Sequence, residues 1–119
     1  MNHNFKELLI WKEAMLNATA TYSITKKFPR EELFALTSQM RRAAISIPSN
    51  IAEGCGRGTD AQLVHFLDIA LGSAFELETQ ILIANTLGYI DAGVTDSWIE
   101  NLYSIHKKII VFRRKLSTL

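Results

Sequence analysis

The sequence predicts an all-α fold, an antiparallel up-down-up-down four-helix bundle whose second helix is kinked by a proline. Three observations predict it. Apolar residues recur at three- and four-residue spacing through four long segments. Short breaks carrying Pro29, the Gly54 to Gly58 run and Gly88 separate those segments. No stretch shows the period of two that a half-buried strand requires. The chain's 119 residues suit one domain, 1–119, with 48% hydrophobic and 21% charged residues, a globular balance.

The first helix is expected from Asn4 to Lys27. Leu8, Trp11, Met15, Ala18 and Tyr22 fall on one face, which Phe5 extends, while Lys6, Glu7, Lys12 and Glu13 take the other. Phe28-Pro29 ends it, because a residue before proline is pushed out of the α region. The second helix is expected to begin at Pro29, with Glu31 and Glu32 meeting the positive end of the dipole. Leu33, Leu36, Met40, Ala43, Ile47 and Ile51 keep helical phase through Pro48. Proline removes a backbone donor and its ring crowds the carbonyl four residues back, so an uninterrupted pattern there reads as a kink. Ser46, Ser49, Asn50 and Glu53 are placed to serve polar groups at that kink, and Gly54 is expected at the residue just past the helix end.

The third helix is expected from Asp60 to Leu87, capped by Thr59 and stopped at Gly88. Leu63, Ala70, Leu77 and Ala84 lie seven apart, with Phe66 or Leu67, Ala74 and Ile81 between them. The fourth runs from about Thr95 to near the C-terminus, and Trp98, Leu102, Ile105, Ile109, Phe112 and Leu116 form its stripe. Ile99, Tyr103 and Ile110 fall off that stripe. With a slightly positive mean hydropathy, they point to burial between copies and hence to a homo-oligomer.

Net charge is +1, but the signs are segregated. No lysine or arginine lies between Arg57 and Lys107, whereas Lys107, Lys108, Arg113, Arg114 and Lys115 crowd the last helix. Two readings stay open: cations complementing a helix C-terminus, or a patch facing phosphate. Arg41 and Arg42 are likewise open. A hairpin centred on Arg57 brings Arg42 near Gly72, within reach of Glu76 and Glu78, with Ala43 and Ala44 against Gly72-Ser73-Ala74. Ion pairing and contact with a polyanion are the alternatives.

Catalytic and metal signals are weak. Gly54-Cys55-Gly56-Arg57-Gly58 lacks the preceding strand and Gly-Lys-Ser/Thr ending of a phosphate-binding loop. Glu53 and Asp68, with Asn50 near them, offer paired carboxylates for acid–base work, but no histidine in the local sequence completes a set. His3, His65 and His106 show neither zinc nor di-iron spacing. One cysteine, Cys55, excludes an internal disulfide. No cofactor, metal or enzymatic activity is expected. No signal peptide or membrane span is visible, so a cytoplasmic protein is expected, with no membrane partner.

The run from Gln39 to Gly54, Gln-Met-Arg-Arg-Ala-Ala-Ile-Ser-Ile-Pro-Ser-Asn-Ile-Ala-Glu-Gly, followed by Gly56-Arg57, resembles the signature of bacterial four-helix-bundle proteins encoded in intervening sequences of large-subunit ribosomal RNA genes. Leu9 to Trp11, Phe28-Pro29 with Glu32, Phe66-Leu67 through Gly72-Ser73 to Glu76-Leu77-Glu78, and Leu87-Gly88-Tyr89 agree with it. The resemblance spans essentially the whole chain. The last helix matches only in apolar pattern, so its basic tail belongs to this protein. The resemblance implies a homopentamer. It also implies kinship with the accessory variability protein of diversity-generating retroelements, a pentameric barrel that binds nucleic acid and a reverse transcriptase. It carries no catalytic residues. Function is therefore expected to be non-enzymatic: nucleic-acid binding, RNA before DNA, through Arg41, Arg42, Arg57 and the C-terminal cations. The alternative is an oligomeric scaffold for a protein partner.

Overall fold

A computed structural model describes residues 3–117. Four α-helices follow a short 3-10 turn at Phe5–Glu7: α1 Leu9–Thr25, α2 Leu36–Cys55, α3 Asp60–Thr86 and α4 Ala92–Ser117, with a second 3-10 turn at Arg30–Glu32. No strand occurs among the described residues. The bundle measures 46 × 24 × 20 Å. Its centre is aliphatic: Met40, Ile47, Ile51, Leu67, Leu77, Ile81 and Ile109 are fully buried.

Side-chain pairs give the register. Arg41 reaches Thr25, Ser46 meets Ser73, Arg113 reaches Asp68 and Trp98 reaches Asn17. The end of α1 meets the start of α2 at Thr25 and Arg41, the middles of α2 and α3 meet at Ser46 and Ser73, and the end of α4 meets the early part of α3 at Arg113 and Asp68. The α2–α3 contact is the tightest. A Cβ on Gly54 would lie 2.8 Å from Leu63 Cδ1 and 2.9 Å from Phe66 Cβ. Gly54 is thus a buried residue inside α2 rather than its stop, and Gly56 takes the cap, donating to the Ala52 and Glu53 carbonyls. The helix runs through Pro48 to Cys55.

The first helix departs most from expectation. Asn4 caps the 3-10 turn, accepting from the Lys6 amide, and Leu8 is extended, so α1 starts only at Leu9. Its buried face is Ile10, Ala14, Asn17, Ala18, Thr21 and Thr25. Of the predicted stripe only Ala18 is buried, and Met15 and Tyr22 are exposed. The reason is local chemistry. Thr21 and Thr25 donate their hydroxyls to the Asn17 and Thr21 carbonyls at 2.7 Å, which lets small polar residues enter the core without an orphaned group.

The second helix starts late. Glu32 accepts from the Tyr89 hydroxyl at 2.7 Å, and Phe28 packs on the Tyr89 ring. This holds the segment after Pro29 in a 3-10 turn, leaves Leu33 exposed outside the core, and delays α2 to Leu36. Thr59 caps α3 as expected, accepting from the Gln62 amide. Gly88, at φ 82°, ends it in the left-handed region that glycine adopts freely. Asp91 caps α4 by accepting from the Val94 amide, so that helix begins before Thr95, at Ala92.

Candidate nucleic-acid interface

The predicted cations fall into three groups. Arg57, Lys108 and Arg113 are paired with acids. Arg57 meets Glu53 one turn back at 3.2 Å and stacks 4.9 Å over Phe66. Lys108 meets Glu13 at 2.6 Å. The Arg113 guanidinium forks onto both oxygens of Asp68. It holds the Asp68 carboxyl below the usual carboxylate range, and Arg113 rises in return. Arg41 and Lys107 rest on rings: Arg41 lies 4.5 Å over Tyr22 while donating to Thr25, and Lys107 lies 4.8 Å over Tyr103. Arg42 and Arg114 are exposed and make no ion pair among the described residues. Lys115 lies beside Arg114 in the last turns of α4.

The expected pairing of Arg42 with Glu76 or Glu78 is absent. Ser46 faces Ser73, a register shifted from one centred on Arg57, and residues 56–59 make the connection. That register puts Arg42 level with Leu77 but on the outer surface of α2. Gly72 is also not the close-approach point, since a Cβ there would meet nothing within 4 Å. The small-residue contact lies instead at Gly54.

Asn50 donates to the Ser46 carbonyl and hydroxyl at 2.8 and 2.9 Å, and that hydroxyl bonds Ser73 at 2.7 Å. Glu53, Asn50 and Asp68 therefore each serve a different partner. Cys55 is buried, and burial pushes its thiol up, away from the reactive thiolate. Among the described residues no group of three or more His, Cys, Asp or Glu side chains is placed to hold a metal ion. Among them too, no helix is long and apolar enough to cross a membrane.

Arg57 and Arg113 lie at one end of the bundle, since Arg57 stacks on Phe66 and Arg113 grips Asp68, both in the first turns of α3. His3 packs on Phe112 at the same end. Arg114 and Lys115 follow there, making a cationic end that also carries Glu53, Asp60 and Asp68.

Sequence reasoning placed outer apolar surface on α4, where Tyr103 is exposed and Ile99 packs against the core, and missed that of α1. A groove of about 420 Å³ between α1 and α2 is lined by Trp11, Met15, Tyr22, Ile45 and Pro48. A second, of about 600 Å³, lies between α1 and α4 beside Leu16, Ile24, Val94 and Trp98. At its wall the Asn17 side-chain oxygen accepts from the Trp98 indole N–H at 3.1 Å. An indole N–H only donates, so the Asn17 amide nitrogen turns away, buried and without a partner among the described residues. The signal for these faces was present in α1, which carries large apolar residues all round.

The sequence matches the profile of the 23S rRNA-intervening sequence proteins over residues 6–111. The chain belongs to that family. A crystal structure at 1.70 Å of a protein of unknown function from the S23 ribosomal protein family, from Bacteroides thetaiotaomicron, shares its fold. The TM-score is 0.83 at 23% identity, over 89% of this chain and 96% of the other. No curated protein matches. Membership of the intervening-sequence family accounts for the four-helix architecture.

Proposed function

We propose that this intervening-sequence family member is a non-enzymatic cytoplasmic homo-oligomer that binds nucleic acid, RNA before DNA, through its cationic end. One observation carries the reading: Arg57, Arg113, Arg114 and Lys115 gather where α3 begins and α4 finishes. Arg57 and Arg113 keep 45% and 38% of their side chains exposed within their ion pairs, so phosphate can compete for them. Assembly multiplies a modest patch, and the pentamer of the first resemblance makes it fivefold.

Binding of this kind is tolerant of sequence and steeply salt-dependent. For single strands the logarithm of affinity falls by about 0.7 per phosphate contact for each decade of salt. A titration of single-stranded RNA against salt concentration tests it. Affinity falls steeply for the native protein, and the Arg57→Glu, Arg114→Glu variant binds more weakly with a shallower slope. A flat salt response removes the reading.

A second reading, a scaffold for a protein partner, is favoured by the pairing of Arg57, Lys108 and Arg113 with acids of their own chain. Co-purification with and without nuclease separates the two. A partner that survives nuclease supports the scaffold, and one that vanishes supports nucleic-acid binding.

A further inference from the structure

The groove between α1 and α4 holds a polar group that the chain leaves unsatisfied. Leu16, Ile24, Val94, Ile105 and the Trp98 indole give it apolar walls. Asn17 lies in its floor, only 6% exposed. The Trp98 indole N–H holds the Asn17 side-chain oxygen at 3.1 Å, which fixes the orientation of the amide. Its nitrogen is buried, and no atom of the described residues accepts from it. Buried donors are almost always paired, so this one asks for an acceptor from outside the chain. The groove between α1 and α2 has no such group among its described residues.

The groove is also bounded and nearly neutral. Glu13 brings the one charge among its described lining residues, and Lys108 and Ser104 engage that carboxylate. These bonds cross from α4 to α1 and close the groove at that end. A partner helix laid along the seam would run into this latch, so a compact occupant fits better. The volume of about 600 Å³ lies within the roughly 300–1,000 Å³ of small-molecule sites. Ser97 and Asn101 add polar but uncharged groups, so an ionic ligand would find no counter-charge here. Leu16, 70% exposed, is held by few neighbours and can turn aside to let an acceptor reach the floor.

We propose that this groove binds a small, neutral, mainly apolar molecule whose carbonyl oxygen accepts from the Asn17 amide. The apolar body lies against Trp98 and Ile105, and the Asn17 oxygen stays on the indole. No residue of the cationic end lines the groove, so the site stands independently of nucleic-acid binding.

The test uses the neutral naphthyl ketone Prodan and its propyl analogue, in which a methylene replaces the ketone. Quenching of tryptophan emission in the full chain is the readout. Prodan binds saturably, and loss of the ketone weakens binding about tenfold, the worth of one buried hydrogen bond. Asn17→Leu lowers Prodan affinity by about the same factor and leaves the analogue's affinity unchanged. Ala20→Phe, at an exposed position of the groove wall, fills the space and abolishes binding of both. A native chain that shows no saturable Prodan binding overturns the proposal. Binding that survives Ala20→Phe also overturns it, because the probe then sits elsewhere, as in the groove beside Trp11. Equal losses of both probes in Asn17→Leu overturn the role of the amide. Where Asn17→Leu loses its helical circular dichroism, the native chain's preference for the ketone decides, and equal affinity for the two probes overturns the proposal.

Discussion

At Gly54 a methyl group has nowhere to go, and at Gly72 it has open space. Alanine stabilises a helix interior by up to about 1 kcal/mol over glycine. At Gly72, where no heavy atom lies within 4 Å of the added carbon, that gain stands alone. Gly72→Ala is expected to raise the urea midpoint. At Gly54 overpacking against Leu63 and the stiff Cβ of Phe66 costs about 1–3 kcal/mol and outweighs the same gain. Gly54→Ala is expected to lower the midpoint, and a rise there would contradict the α2–α3 packing. Asn17 belongs to this scale as well. Asn17→Ala strands the buried Trp98 N–H, a loss of about 1–3 kcal/mol readable by thermal unfolding.

Asp68 titrates below an ordinary carboxyl, chiefly through its hydrogen bond to Arg113. Its contribution to stability is present above the unfolded-state value and lost as pH falls through the depressed one. With nearly half of the Asp68 side chain exposed, solvent screening keeps that contribution small. Carbon-detected NMR of Arg113→Gln is expected to return the Asp68 midpoint toward the usual range. In acid unfolding the variant and the native protein converge at the lowest pH.

Among the elements, α2, α3 and α4 were legible and α1 was not. Met40, Ala43, Ile47 and Ile51, the Leu63 to Ala84 row and Trp98 to Ile109 are buried where their spacing put them. In α2 and α4 one apolar arc is opposed by polar residues, so period alone fixes the phase; α3 also exposes Ile69, Phe75, Leu82 and Ile83, and its phase follows from the seven-residue row of Leu63, Ala70, Leu77 and Ala84. In α1, Trp11, Met15 and Tyr22 outweigh Ala14, Thr21 and Thr25 in hydrophobicity, and a stripe of large residues read as the core. What decides the phase is that threonine hides its hydroxyl on its own helix, and that small side chains let α1 sit close. Neither is visible in apolar spacing. The delayed start of α2 depended on Tyr89 reaching Glu32 across 57 positions. No local rule links those residues. Tyr89→Phe frees that turn, and faster amide exchange at Leu33 to Leu36 is the expected readout.

For the whole molecule, the inverted α1 has the larger consequence. A bundle 24 × 20 Å in section keeps its aliphatic centre and still leaves Met15, Tyr22, Ile45, Phe75, Leu82 and Tyr103 in water. Scattered apolar side chains are ordinary on a surface, but a continuous patch such as Phe75, His106 and Tyr103 is less so. The candidate cations were legible as residue types. Three of their partners were not, because Glu13, Asp68 and the Tyr22 ring come from distant parts of the chain, whereas Glu53 and Tyr103 lie one turn from Arg57 and Lys107. One copy offers only a weak cationic patch, and the proposed assembly is what multiplies it.

Native mass spectrometry of the full chain at micromolar concentration tests this most directly. The account predicts a discrete multiple of 13.4 kDa, with the monomer a minor species. A population that stays at 13.4 kDa across the accessible concentration range would contradict it.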